Sequence, residues 1–197
     1  NNEVWKGKAM LELPALLDST GMLACGEDLG MIPATVPQVM DDLRILSLEI
    51  QRMPKSVEET FAHPANYPYL SVCTTSTHDM NPIRAWWEED REVTNQFWQM
   101  ILGNQGEAPY YCEPWICRQI LEQHVWSPAM LTILPLQDWL SMDPQLRRED
   151  PNTERINVPA NSRHYWRYRM HLTLEQLEAA DEFNKTLADM IAASGRK

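Results

Sequence analysis

Residues 22–30 read MLACGEDLG and residues 70–79 read LSVCTTSTHD, two short apolar or β-branched runs that each deliver a carboxylate, Glu27 and Asp79, just before a turn. In a barrel of alternating strands and helices, catalytic side chains lie at this end of the strands, because the βα loops there form the open face. Carboxylates from different strands can converge on one bond, and cleavage of a glycosidic bond needs such a pair. The pattern predicts part of a carbohydrate-active barrel enzyme.

Strand-like and helix-like patterns alternate along the whole chain. Strands are predicted at residues 22–25, 45–51, 70–75 and 130–136, and helices at 4–17, 35–43, 82–102, 113–125 and 173–193. Such alternation is typical of a parallel α/β sheet. A closed (β/α)8 barrel needs about eight strands, so we expect the C-terminal half of a TIM-type barrel, with four parallel strands and flanking helices, as one domain fragment over 1–197. A small, complete doubly wound sheet is the alternative, and composition alone favours it, because an isolated half barrel would expose two long strand edges. Only the resemblance carried by the motifs, given below, favours the half barrel.

The charge balance excludes two classes of partner. The formal net charge is −11, and no basic stripe is present that could displace counterions from nucleic acid. The same charge disfavours an anionic membrane surface, and no apolar run approaches the ~20 residues that a membrane-spanning helix needs. A neutral sugar is compatible with this charge.

The four cysteines predict neither a disulfide framework nor a metal site. Cys25 and Cys73 lie within strand-like runs and are expected to be buried, unreactive thiols. Cys112 and Cys117 are five residues apart and have no matching Cys or His pair nearby, which is a poor zinc pattern. This cysteine usage fits a reducing, cytoplasmic setting best. Separately, the glycoside cleavage expected of the paired carboxylates implies no metal or organic cofactor.

The remaining polar clusters are expected to be structural. Taken singly, Glu27 and Asp79 are also compatible with helix capping or ion pairing. The charge run at residues 88–92 is predicted to be a solvated helix face. The cluster of Arg163, Arg167 and Arg169, interleaved with aromatic residues, is predicted to brace the base of the barrel. Structural roles are expected for four histidines: His63, His124, His164 and His171.

Four motifs in one order carry a family resemblance that covers about residues 4–169. They are ACGEDLG at 24–30, THD at 77–79, PLQD at 135–138 and RINVP at 155–159, the last running on to WRYR at 166–169. Together they resemble the 4-α-glucanotransferases of glycoside hydrolase family 77 (amylomaltases). The phrases STHDM and RHYWRYR are similar to the longer, plant-cytosolic-like branch, whose members often carry starch-binding modules upstream.

The resemblance implies a retaining transglycosylase on a (β/α)8 barrel. It assigns the general acid/base to Glu27, the transition-state stabiliser to Asp79, and contacts with substrate hydroxyls to His78 and Asn157. The family nucleophile is an Asp in an Arg-x-Asp-His-like turn on the fourth strand, and this chain contains no such motif. We therefore expect the nucleophile to lie upstream and the rest of the parent barrel to be required.

The implied partners are an α-1,4-glucan or maltooligosaccharide donor and a sugar acceptor. Two departures from the commoner branch leave the chain-length and acceptor preference open: Met80-Asn81 follows the THD motif, and Tyr165 precedes the tryptophan. The alternatives are an α-glucan hydrolase on the same barrel and a non-catalytic glucan-binding or structural fragment.

Overall fold

The computed structural model describes residues 1–30 and 32–196. Within this part of the chain, no helix is long and apolar enough to cross a membrane. The chain divides into two compact units, which we call the sheet unit (residues 1–74 and 127–133) and the helical unit (residues 75–126 and 134 onward). The one-domain interpretation stays a prediction.

The sheet unit holds a parallel sheet and two helices. Its elements are α1 (Asn2–Asp18), α2 (Val36–Asp42), β1 (Ser47–Ile50), a 3-10 turn (Pro64–Asn66), β2 (Ser71–Thr74) and β3 (Leu131–Thr132). The strand order is β1-β2-β3, with Ser47 opposite Ser71 and Val72 opposite Leu131. Buried Cys73 of β2 packs with Tyr67 and Ala129. The predicted parallel α/β fold is confirmed, with three strands among the described residues.

The first predicted strand is reduced to one bridge. Cys25 pairs in parallel with Leu46, where the Gly26 N–H donates to the Leu46 carbonyl (2.8 Å) and the Leu46 N–H donates to the Ala24 carbonyl (3.0 Å). A Cβ on Gly26 would lie 2.9 Å from Met40 Cε, so a larger residue here would require the end of the Met40 side chain to shift. The ladder ends after this pair, and Cys25 is exposed rather than buried, which corrects the prediction for its thiol.

Helix α1 forms as predicted but buries little of its apolar surface. Its only buried residue among those described is Ala9, and Leu11 is 78% exposed. Helical spacing of apolar residues therefore predicted the secondary structure correctly, while the burial expected of such a stripe is absent from the described residues.

The helical unit contains the remaining elements. These are α3 (Ile83–Trp87), α4 (Arg91–Met100), α5 (Pro114–Val125), α6 (Leu136–Leu140), a 3-10 turn (Pro151–Glu154), α7 (Leu174–Glu178) and α8 (Asp181–Ala193). The capping box predicted at Thr173 forms with Gln176, but the helix it opens ends at Glu178.

The predicted helix over 82–102 is two helices, because Asp90 starts a new one. Its backbone is extended, and its carboxylate accepts the N–H groups of Glu92 (2.9 Å) and Val93 (3.2 Å). A side chain that caps free amides in this way favours a helix start over a helix interior. Arg91 donates to the carbonyls of Ala108 and Pro109. The interpretation of 88–92 as one solvated helix face is therefore wrong.

Candidate active site

The turn after β2 carries Asp79, and Asn157 holds this turn at two points. The Asn157 side-chain amide donates to Asp79 Oδ1 (2.6 Å), and its backbone N–H donates to the His78 carbonyl (3.1 Å). His78 Nε2 lies 3.6 Å from the same Asp79 oxygen. Three of the predicted site residues thus form one cluster in the helical unit.

An exposed indole borders this cluster. The Trp166 ring centroid lies 5.2 Å from that of His78, with the planes inclined by 49°. Trp166 is 57% exposed, and the Asp79 side chain is 45% exposed. The cluster therefore offers an accessible carboxylate beside a flat apolar surface, a combination suited to a ligand with hydroxyl groups and apolar C–H faces. The sequence analysis assigned Trp166 to a structural brace and missed this position.

A fully buried carboxylate, Asp138, fixes the start of the same turn. One of its oxygens accepts the Thr75 hydroxyl (2.6 Å) and the Ser76 hydroxyl (3.0 Å), and the other accepts the Ile83 N–H at the start of α3 (2.8 Å). Pro82, the N-cap residue of α3, supplies no side-chain cap, so Asp138 takes that role. The PLQD motif marked this residue without indicating its partners.

We expect the substitution Asp138→Asn to destabilise the protein strongly. An amide keeps one acceptor oxygen but turns an NH2 group toward donors, which leaves buried donors unpaired. A hydrogen bond to a charged group contributes about 1.5–3 kcal/mol, so the free energy of unfolding should fall by about 3 kcal/mol in a denaturant titration.

The matched control is Asp90→Asn, because Asn and Asp are about equally good at a helix N-cap. This variant should unfold within about 0.5 kcal/mol of wild type. Equal stability of the Asp138 and Asp90 variants would contradict the role given to Asp138.

The loop that carries Glu27 is anchored through its neighbour. Glu27 is exposed, whereas Asp28 is 6% exposed and accepts the Leu48 N–H of β1 (2.8 Å). Lys55 Nζ lies 2.7 Å from both Asp28 Oδ2 and Glu49 Oε1. No periodic pattern marks Lys55, and the sequence analysis missed this network.

The Cys25 thiol before Glu27 is unsuited to nucleophilic chemistry. Neighbouring protein atoms that displace part of the water around the sulfur, and next the negative charge of Asp28, raise the pKa of the Cys25 thiol above its ordinary value. A higher thiol pKa lowers the fraction of reactive thiolate. This supports the unreactive role expected from the sequence, although the expected burial is absent.

The other titratable residues have local partners. Buried His124 lies with Nδ1 2.8 Å from the Ile120 carbonyl, and His63 accepts the Ala65 N–H. Each of His164 and His171 has its Nε2 2.8 Å from a backbone carbonyl. Over residues 1–30 and 32–196, no group of His, Cys, Asp and Glu side chains could hold a metal ion.

Glu27 and Asp79 belong to different compact units. The expectation that both lie at one edge of a barrel and face one glycosidic bond therefore stays a prediction. What the structure brings together is Asp79, His78 and Asn157.

Comparison with known proteins gives one consistent result. A family model described as 4-alpha-glucanotransferase, glycoside hydrolase family 77, matches residues 2–174. The 4-alpha-glucanotransferase DPE2 of Oryza sativa subsp. japonica is 42% identical over 193 residues, 98% of this chain and 20% of that protein. The 4-alpha-glucanotransferase of Chlamydia muridarum is 32% identical over 182 residues, 90% of this chain and 34% of that protein.

Solved structures agree on the fold. The amylomaltase from Streptococcus agalactiae in complex with acarbose has a TM-score of 0.65 at 19% identity, with 91% of this chain and 33% of that chain covered. The amylomaltase from Corynebacterium glutamicum has a TM-score of 0.57 at 15% identity, with coverage of 89% and 29%. The chain thus shares the α/β fold of part of an amylomaltase, and it spans between a fifth and a third of these relatives' length.

The family match extends from α1 to the start of α7. It includes both candidate carboxylates, Glu27 and Asp79, and Asn157, which hydrogen-bonds to Asp79. The chain therefore belongs to glycoside hydrolase family 77, the 4-alpha-glucanotransferases.

Proposed function

We propose that the protein that contains this chain is a retaining 4-α-glucanotransferase. It cleaves an α-1,4-glucan or maltooligosaccharide through a covalent glycosyl-enzyme and passes the glucosyl unit to another sugar hydroxyl. The observation that carries the proposal is the Asn157–Asp79 hydrogen bond of 2.6 Å. This bond connects the THD motif at 77–79 with the RINVP motif at 155–159, although Asp79 and Asn157 are 78 residues apart in the sequence. The carboxylate at which they meet is accessible.

In this proposal Asp79 stabilises the positive charge that develops on the sugar ring. A carboxylate fixed before the reaction stabilises such charge without reorganising during it. The double contact of Asn157 supplies that fixation, since it holds both the Asp79 side chain and the backbone of His78. His78 and Trp166 border the sugar, the first through a ring nitrogen and the second through its exposed indole face.

Glu27 protonates the leaving oxygen and later deprotonates the acceptor, as a retaining mechanism requires of one residue. The anchoring of Asp28 by Leu48 and Lys55 supports this role, because it ties the loop to β1 while Glu27 stays exposed. Acarbose on the Streptococcus agalactiae amylomaltase supports a glucan-like ligand for this chain.

For the complete enzyme we propose a (β/α)8 barrel in which this chain supplies the C-terminal half. The Cys25–Leu46 bridge supports the position of a fourth strand, because it extends the parallel sheet beyond β1. We further propose a cytoplasmic location, which the four free cysteines support.

We expect that the 197-residue chain alone does not disproportionate maltotriose, whereas the full-length protein does. A glycosyl-enzyme needs a nucleophile about 5–5.5 Å from the acid/base, and no Arg-x-Asp-His motif is present in this sequence. The measurement is release of glucose and maltopentaose from maltotriose at equal molar concentrations of chain and full-length protein.

The product pattern of the full-length protein tests the function itself. Glucose together with longer maltodextrins indicates transfer, while glucose and maltose without longer products indicates an α-glucan hydrolase. Substantial transfer by the 197-residue chain alone would contradict the proposed division of catalytic residues.

A further inference from the structure

A cavity of about 660 Å³ in the helical unit is lined by basic side chains. Its lining includes five arginines, Arg148, Arg155, Arg163, Arg167 and Arg169, and no Asp or Glu is among its described lining residues. We call this cavity the arginine groove. In a chain of net charge −11, such a concentration of positive charge sets this surface apart from the rest of the molecule.

These arginines lack carboxylate partners. No guanidinium of the five lies within 4.0 Å of a carboxylate oxygen in the part of the chain that the structure describes. Arg148 donates to the Arg169 carbonyl and lies over the Tyr168 ring at 5.5 Å, while its buried Nε has no hydrogen-bond partner among described atoms. The predicted bracing role of Arg163, Arg167 and Arg169 stays a prediction.

The acidic residues nearest along the chain are Glu149, Asp150 and Glu154, and none of them is among the described lining residues of the groove. The Asp150 carboxylate accepts the Asn152 backbone N–H (2.9 Å). Glu154 is 1% exposed and lies 3.8 Å from Arg84. Burial outweighs the attraction of Arg84 and raises the pKa of Glu154 to about 7, so this group carries less negative charge than an ordinary carboxylate. The lining of the groove itself therefore carries an excess of positive charge.

The groove adjoins the candidate active site through a shared segment. Arg155 lines the groove and donates through Nε to the Asn157 carbonyl (2.9 Å). Asn157 in turn contacts Asp79 (2.6 Å). A sugar held at Asp79 would therefore lie next to a segment that also contributes Arg155 to the groove lining.

We propose that the arginine groove binds a phosphate group, either free or esterified to a sugar hydroxyl. Guanidinium forks match the oxygen geometry of phosphate and form strong charge-assisted hydrogen bonds with it. The cavity volume lies within the range of about 300–1,000 Å³ that is usual for small-ligand sites. The sugar-phosphate form of the proposal rests on the proposed function, since it places a phosphorylated glucan in the site beside Asp79.

The test is calorimetric titration of the full-length protein with inorganic phosphate, glucose 6-phosphate and maltotriose. The groove variant is Arg163→Gln with Arg167→Gln, both exposed residues. The matched control is Arg118→Gln, an exposed arginine of α5 that pairs with Glu122 (2.8 Å) and lies outside the groove lining. A third variant, Arg163→Lys with Arg167→Lys, keeps the positive charge but loses the paired N–H donors of the guanidinium group.

The groove variant should bind phosphate and glucose 6-phosphate at least about tenfold more weakly than wild type. The Arg118 variant should match wild type, and the lysine variant should fall between them. Tighter binding of glucose 6-phosphate than of inorganic phosphate identifies the ester as the ligand, and the reverse order identifies the free ion. Thermal melts of all variants confirm that the fold is retained.

The proposal would be overturned by an absence of phosphate and glucose 6-phosphate binding in wild type, or by equal losses of binding in the groove and Arg118 variants. An equal loss of maltotriose binding in the groove variant would also overturn it, because the groove would then be a neutral sugar subsite. The proposed function is tested by a different measurement. If it is wrong, the wild-type protein will not transfer glucosyl units from maltotriose, and the phosphate titrations do not depend on that result.

Discussion

Replacement of Glu27 by Gln in the full-length enzyme should lower glucose release from maltotriose by about 10²–10⁴-fold. The amide has nearly the shape of the carboxyl but cannot donate a proton to the leaving oxygen. Because Glu27 is exposed, the substitution should leave the thermal stability nearly unchanged. The measurement is the initial rate of glucose release at saturating maltotriose.

A sugar donor with a good leaving group shows whether Glu27 acts as the acid, because departure of such a group does not need protonation by the enzyme. Maltosyl fluoride loses fluoride without needing a strong acid, so the variant should give a rapid fluoride burst and then slow turnover, because acceptor deprotonation still lacks its base. The matched control is Glu58→Gln, an exposed glutamate of the same unit, which should keep the wild-type rate. Near-normal turnover of the Glu27 variant with maltotriose would remove Glu27 from the acid/base role.

Replacement of Asp79 by Asn should lower kcat by about 10²–10³-fold and change KM by no more than a few-fold. The expected split follows from the site geometry. An asparagine oxygen at position 79 can still accept the Asn157 amide, so the turn keeps its shape while the negative charge disappears. Charge matters most when the sugar ring becomes positive, which affects the transition state more than the bound substrate.

The control for Asp79 is Asp143→Asn, whose carboxylate accepts the backbone N–H groups of Gln145 (2.8 Å) and Leu146 (3.0 Å). An asparagine there can accept the same bonds, so kcat and KM should both stay close to wild type. A normal kcat with a large rise in KM in the Asp79 variant would make Asp79 an ordinary binding residue. Loss of folding in that variant would instead support a structural role for its carboxylate.

Sequence patterns predicted the elements whose signals are local. The parallel sheet, α1, α5 and the capping box at Thr173 follow from periodicity and from residues within a few positions of one another. The break at Asp90 was missed because a capping aspartate and a surface aspartate look alike within a charged run. The first strand was overestimated, since its pairing among the described residues is limited to the Cys25–Leu46 bridge.

In the candidate site, too, the residues marked by local motifs were predictable and those that act over long sequence distances were not. The motifs indicated Asp79, His78 and Asn157, and the structure brings these three residues together, while their roles stay predictions. The roles of Asp138 and Lys55 were not predictable, because each acts on residues far along the chain. The arginine groove was visible as a cluster in the sequence, but its lack of carboxylate partners appears only in three dimensions.

The contacts of Asp138 also set an order of events during protein synthesis. Asp138 lies 62 residues beyond Ser76 and 55 beyond Ile83, the groups that it binds. At about 5–20 residues per second on the ribosome, about 3–12 s pass between the synthesis of the turn and that of its acceptor. During that interval the hydroxyls of Thr75 and Ser76 and the first amide of α3 have no buried carboxylate to meet. The turn that carries Asp79 therefore acquires its final form late, after the local helices around it have had time to form.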